Sequence, residues 1–227
     1  ESTALHLQQA YLIYNDAVQK AIANVVKQED DNLSINIDAL LLTPSPSTIL
    51  FEFLSVYGYN EQQVNSIMES LNSESGKRFA STNYLLYKDR NRLVLMQNNE
   101  IDFCVNIDLK KIDNVILPDG RTLRFEFREG GAEINKSKSI ATLDADKVGE
   151  SLIVRLWRQG DNFVPFGMKG KKLLSDYMTD RKFDITKKRN QCVVCNDCAL
   201  IWVVGERSDD RYRVSNETIR QLVISVN

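Results

Sequence analysis

The hydrophobic pattern changes period part-way along the chain. Before Gly76 the apolar residues recur at helical spacing; from Asn83 onward they alternate or fall into short runs. Helices first and strands later predict an α+β fold: a helical domain with a β-hairpin, then a mixed, mostly β C-terminal domain with a short basic helix.

The details follow from local signals. Tyr14, Val18, Ala21, Ile22 and Val25 lie on one face of a long helix predicted over 4–26. A polar joint over 27–33 follows it. Pro44 and Pro46 punctuate the approach to a second helix over 49–57, which Gly58 stops. Asn60, with Gln63 three residues later, suits a capping box for a third helix whose Val64, Ile67, Met68 and Leu71 share a face. Residues 83–88 and 92–97, around Asp89-Arg90-Asn91, read as a hairpin. Short strands are predicted around 101–107, 122–128, 139–143, 152–157, 192–195 and 199–204, with a turn at Pro118-Asp119-Gly120. A short helix places Leu173, Leu174, Tyr177 and Met178 together. For 227 residues two domains are expected, 1–97 and 98–227.

Composition removes several classes of function. The only histidine, His6, sits near one end, so serine-histidine and cysteine-histidine catalysis and histidine-rich metal sites are not supported. Four cysteines do not make a disulfide framework in a chain of this size, and all are expected reduced. No apolar run approaches the roughly 18 residues of a membrane span, and the first residues do not resemble a signal peptide; the chain reads as cytosolic.

Charge is balanced overall, with 29 basic against 31 acidic residues, but unevenly spread. Between Arg155 and Arg189 stand Arg155, Arg158, Lys169, Lys171, Lys172, Arg181, Lys182, Lys187, Lys188 and Arg189, opposed only by Asp161, Asp176, Asp180 and Asp184. A smaller island holds Lys77, Arg78, Lys88, Arg90 and Arg92. A near-neutral protein with two basic islands can grip phosphates at two places.

The larger island carries the chemistry. Gly160, Gly167 and Gly170 allow close backbone approach, and Lys169, Lys171 and Lys172 crowd the start of the following helix, expected near Lys172, where free N–H groups favour an anion. It is not a nucleotide-binding P-loop, because Pro165 and Lys172 occupy positions where that motif needs Gly and Ser or Thr. Trp157, Phe163, Phe166 and Tyr177 interleave with the cations, as stacking platforms for bases or as core.

These residues resemble a family. The run from Arg155 to Asp176, with Trp157, Gly160-Asp161, Phe163, Pro165, Gly167-Met168, Lys171-Lys172 and Ser175-Asp176, is similar to the C-terminal domain of bacterial tRNA(Ile)-lysidine synthetase. Ile201-Trp202-Val203-Val204-Gly205, Arg207, Asp210-Arg211-Tyr212 and Thr218 look like that domain's closing strands. The family often has a proline after the basic helix, where this chain reads Phe183-Asp-Ile-Thr.

The resemblance implies a ligase that uses ATP to join lysine to the wobble cytidine of the CAU anticodon of isoleucine tRNA. It implies that the catalytic domain, with its S-G-G-x-D-S loop, ATP and magnesium, lies elsewhere: the only Ser-Glu-Ser-Gly here leads into Lys77-Arg78. This chain would then be the tRNA-binding portion, with no catalytic residue and no cofactor of its own. Arg155, Arg158, Lys169, Lys171, Lys172 and Arg189 would hold the acceptor stem, the domain before residue 98 would help select the tRNA body, and Lys77, Arg78 and Arg207 would be additional tRNA contacts; a homodimer is compatible with this. Two alternatives remain open, a protein-interaction module and a general RNA-binding module.

Three smaller motifs have plainer readings. Cys192-x-x-Cys195-x-x-Cys198 opens some iron–sulfur motifs, but with Cys104 as the only other cysteine the three are expected to be structural, across a turn at Asn196-Asp197. Asp144-Ala-Asp146 and Asp209-Asp210 lack the spacing of a calcium loop and are expected to be turn residues. Ser175-Asp176 is expected to cap or pack a helix.

Overall fold

The structure, a computed structural model, describes residues 2–99, 102–111, 114–130, 135, 137–197 and 199–227. The chain divides into two compact units, Glu1–Glu100 and Ile101–Asn227.

In the first unit the long amphipathic stretch is a helix, α1 (Ser2–Val25). Its C-terminal half buries Val18 and Val25 in a core with Ile35, Leu40, Leu50, Phe53, Leu54, Ile67, Leu86 and Leu93. Residues 2–17 are exposed, among them Leu7, Tyr11, Leu12 and Ile13. Three shorter helices follow: α2 (Ile37–Leu41), α3 (Pro46–Ser55) and α4 (Glu61–Ser70). Pro46 opens α3, where its missing N–H costs nothing. Asn60 caps α4 through both bonds of a capping box, its side chain accepting from Gln63 N at 2.9 Å and its own N–H donating to Gln63 Oε1 at 3.0 Å.

The segment expected to be a polar joint is instead a hairpin of β1 (Val26–Glu29) and β2 (Asn32–Asn36), with Asp30 in the left-handed region at φ 50°. It joins β3 (Arg78–Ala80), β4 (Tyr84–Asp89) and β5 (Arg92–Gln97) in an antiparallel sheet of order β1-β2-β5-β4-β3. The hairpin escaped the sequence pattern because β1 is an outer strand with a largely exposed Val-Lys-Gln-Glu sequence, carrying no apolar alternation.

The second unit is mostly β. One four-stranded antiparallel sheet has the order β14-β13-β10-β6, formed by β6 (Cys104–Asp108), β10 (Ser151–Leu156), β13 (Cys192–Asn196) and β14 (Ala199–Val203). The other has the order β7-β8-β15-β9, formed by β7 (Val115–Ile116), β8 (Thr122–Glu129), β9 (Ile140–Asp144) and β15 (Arg220–Val226). Leu123, Phe125, Leu143, Leu222 and Ile224 of the second sheet and Leu152, Val154, Val194 and Ile201 of the first meet in one core. The opposite face of the first sheet packs Val193, Cys195, Leu200 and Val203 against Leu174, Tyr177 and Met178 of α6 (Leu174–Asp180). Burial on both faces explains the unbroken apolar runs of β13 and β14. The remaining elements are short: α5 (Ala145–Val148), a ribbon of β11 (Asn162–Phe163) and β12 (Lys172–Leu173), α7 (Ile185–Arg189) and a 3-10 turn at Asp210–Tyr212.

Candidate nucleic-acid interface

The basic island folds as a loop on a ribbon rather than as a loop on a helix. β11 pairs with β12, Asn162 opposite Leu173 and Phe163 opposite Lys172, so residues 164–171 close the ribbon and carry Lys169 and Lys171 into solvent. Two adjacent aspartates pin the base of this loop. The fully buried Asp209 carboxylate accepts from Val164 N at 2.9 Å and takes both Nε and Nη2 of Arg211, while Asp210 accepts from Gly167 N at 3.0 Å. Asp209-Asp210 are thus turn-holding residues, as their sequence suggests. Gly167 sits at φ 83°, a conformation that side-chain-bearing residues rarely adopt.

Arg155 has a specific partner. Its guanidinium meets Asp161 in two hydrogen bonds of 2.8 Å, with about one seventh of each side chain exposed (15% and 14%), and Asp161 also accepts from Arg158 N at 2.8 Å. Burial raises the Asp161 pKa, but the Arg155 pair and the Arg158 N–H outweigh it and hold the carboxyl below its ordinary value. The Arg158 side chain itself is exposed at the adjoining turn.

Lys172 does not converge with Lys171 on a helix start. The helix begins at Leu174, two residues later than expected, because Lys172 and Leu173 extend as β12; the Lys172 ammonium is paired with Asp180 in the last turn of α6. With seven residues and no side-chain cap at Leu173, α6 does not provide the anion cradle expected there.

The aromatics are largely structural. Phe163 and Tyr177 are buried and meet edge to face at 5.2 Å between ring centroids, which removes both as exposed stacking platforms. The Trp157 indole N–H donates to Lys188 O at 2.6 Å, tying the end of β10 to α7. Phe166 remains half-buried beside the loop. Arg189 closes α7 and is half-buried. Arg207 is exposed in the turn after β14 and donates to Phe166 O at 3.3 Å. Lys77 and Arg78 are exposed in the first unit, Arg78 opening strand β3.

One cluster was missed by the sequence. Glu206, its side chain only 4% exposed, takes Lys187 at 3.0 Å on Oε1 and has Lys138, Arg181 and the Tyr177 hydroxyl around Oε2 at 3.3–3.5 Å. Burial works against its ionisation, but the hydrogen bond from Lys187 and the charges of Lys187, Lys138 and Arg181 prevail, and its pKa lies below the ordinary glutamate value. The cations come from three segments as far as 68 residues from Glu206, which no local motif encodes.

The cysteines do not form one constellation. Cys192 enters the core between the sheets and Cys195 the core under α6, since residues three apart on a strand face opposite sides. Burial pushes their thiols up to about 12 and about 11. Cys104 is exposed, and Cys198 lies outside the described residues.

Residues 28–98 match the family model of the TilS substrate binding domain. The chain is 37% identical over 225 residues to a tRNA(Ile)-lysidine synthase of Bacteroides thetaiotaomicron, a match covering 99% of this chain and 49% of that protein. It is also 37% identical over 232 residues to the tRNA(Ile)-lysidine synthase of Parabacteroides distasonis, covering 98% and 50%. The chain belongs to the tRNA(Ile)-lysidine synthase family. It spans about half the length of the curated relatives it matches. A solved C-terminal domain of TilS aligns with a TM-score of 0.48 at 22% identity, over 55% of this chain and 97% of that one. Within this lysidine synthase family chain, the substrate-binding match falls on the first unit, and the pinned basic loop and the Glu206 cluster fall in the second.

Proposed function

We propose that this chain is the C-terminal, tRNA-binding portion of an ATP-dependent ligase that attaches lysine to the wobble cytidine of the CAU anticodon of isoleucine tRNA. The observation that carries this reading is the match of nearly this whole chain to about half of each of two proteins named tRNA(Ile)-lysidine synthase. The chemistry, with its ATP and magnesium, belongs to a part of the protein outside these residues, since no S-G-G-x-D-S occurs among the 227. No helix among the described residues is long and apolar enough to cross a membrane, and the proposed place of action is the cytosol, where tRNA is processed.

In this reading the exposed cations Arg158, Lys169, Lys171 and Arg207 meet the phosphates of the acceptor stem, with Arg189 at the end of α7 as a further contact, while Lys77 and Arg78 of the first unit help to select the tRNA body. Arg155 and Lys172 shape the loop through Asp161 and Asp180 and reach RNA only by giving up those partners. Recognition along a stem is of backbone and shape, because A-form RNA hides its base edges in a deep, narrow groove.

The test is tRNA binding against salt concentration. Affinity should fall linearly with log salt, with a slope of about −0.7 to −0.9 per phosphate neutralised. A flat response would favour a protein-interaction module. Supplied with ATP, lysine and tRNA, the chain alone should form no lysidine; turnover would overturn the assignment of catalysis to another part.

A further inference from the structure

Beside the pinned loop lies a pocket of about 510 Å³ lined by Ser137, Lys138, Thr142, Phe166, Glu206 and Arg207 among others. That is within the range of small-ligand sites. Its chemistry is mixed in an informative way. Lys138, Arg181 and Lys187 gather on the single carboxylate of Glu206, so the cluster keeps a surplus of positive charge, and the exposed Arg207 adds to it. An anion is wanted.

The carboxylate wants something else. Charge-assisted hydrogen bonds ordinarily run near 2.7–2.9 Å. Only Lys187 approaches that, at 3.0 Å on Oε1, whereas the three neighbours of Oε2 stand at 3.3, 3.4 and 3.5 Å. Oε2 is therefore surrounded but loosely held, within a residue that lines the pocket, and it would accept a better-placed donor. Lys138, the most exposed of the three cations, is the arm that can turn outward to an anion when that donor arrives.

A ligand that fits carries an anion, a hydroxyl donor a few ångströms from it, and a flat or apolar surface for Phe166. A ribonucleotide has all three, and the hydroxyl is the group that DNA lacks. We propose that this pocket holds one ribonucleotide of a bound RNA, its phosphate against Lys138 and Arg207 and its 2′-hydroxyl donating to Glu206 Oε2. Glu206 is then a specificity residue that reads sugar identity, at a cost in bulk attraction for polyanions. The inference rests on RNA being the ligand of this unit.

The experiment uses the whole chain and an RNA hairpin copying the acceptor arm of an isoleucine tRNA, scanned with single 2′-deoxy substitutions that keep charge and A-form shape. At least one position should weaken binding by about tenfold, the scale of losing a hydrogen bond to a charged group. In Glu206→Ala that position should become silent, while affinity for an all-DNA hairpin rises. Lys138→Ala and Arg207→Ala should weaken every hairpin alike and leave the sensitive position sensitive. If the parent binds the hairpin and no 2′-deoxy position matters, the pocket assignment falls and the RNA-binding reading stands. Failure of the parent to bind any RNA hairpin overturns both. Should Glu206→Ala not fold, the scan on the parent and on Lys138→Ala still decides the question.

Discussion

Arg155 and Asp161, six residues apart, close the turn between β10 and the ribbon through two parallel hydrogen bonds of 2.8 Å. Asp161 O in turn accepts from Leu174 N, so the pair also fixes where α6 begins. A guanidinium that looks from composition like a phosphate grip is thereby part of the frame that presents the loop.

Arg155→Ala should therefore act on stability. Removing one partner of a buried pair costs roughly 3–5 kcal/mol, and the partial exposure here reduces the expectation to about 2 kcal/mol. Arg155→Lys should not fully restore it, because an ammonium cannot reproduce the planar fork. Arg158→Ala, at an exposed position, should stay within about 0.5 kcal/mol. Denaturant melts check all three; an unchanged midpoint for Arg155→Ala would return that residue to the list of RNA contacts.

Acid should weaken the second unit. Asp144, Asp161 and Glu206 all have pKa values held below the ordinary carboxylate range, by Thr218 and Lys147, by Arg155, and by Lys187 respectively, each against the opposing effect of burial. A depressed folded-state pKa gives stability that is complete above the unfolded value, about 4, and is lost as pH falls through the folded value. Melting temperature should be level near neutrality and drop as pH is lowered below about 4. Asp161→Asn should show a smaller drop than the parent, starting from a less stable protein.

Lys169 and Lys171 stand in solvent on the loop, so Lys169→Ala with Lys171→Ala should leave the melt unchanged and weaken tRNA binding at moderate salt. If both meet phosphates, the slope of log affinity against log salt should flatten by about one per lysine. The same change at Lys110 and Lys111, outside both islands, is the control. Equal tRNA affinity for the two double variants would mark the loop lysines as a solvated face.

Thiol labelling separates the cysteines. In a Cys198→Ser background at pH 8, Cys104 should react promptly with an alkylating reagent, whereas Cys192 and Cys195, buried with thiols near 12 and 11, should react only on unfolding. Fast labelling of three thiols in the native protein would contradict the two-core placement.

What could be read from the sequence was what is written locally. The α1 stripe, the Asn60–Gln63 capping box and the β4–β5 hairpin each lie within a short window, and each is present. The β1–β2 hairpin was not legible because Val-Lys-Gln-Glu carries no apolar alternation, and the place of β15 between β8 and β9 was not because its partners lie far along the chain. The site followed the same rule. A basic island is visible as composition, but whether a cation is exposed or paired depends on Asp161, Asp180 and Glu206, and the last gathers Lys138 from 68 residues away, across six intervening strands.

The two-sided burial of β13 has a consequence for how the second unit reaches its native state. Cys192 and Val194 point into one core and Val193 and Cys195 into the other, so each core receives one cysteine and one valine. Sliding the strand by a single residue would exchange like for like, and apolar contact would scarcely notice. Alignment is chosen instead by amide clamps at the strand's ends. Gln191 Nε2 bridges the carbonyls of Cys192 and Val204 at 2.7 and 2.9 Å, and Asn196 reaches Val148 O at 3.0 Å while accepting from the Tyr212 hydroxyl at 3.1 Å. A strand buried on both faces thus takes its position from two polar side chains, and a chain that zips up before they engage has to come apart again to correct itself.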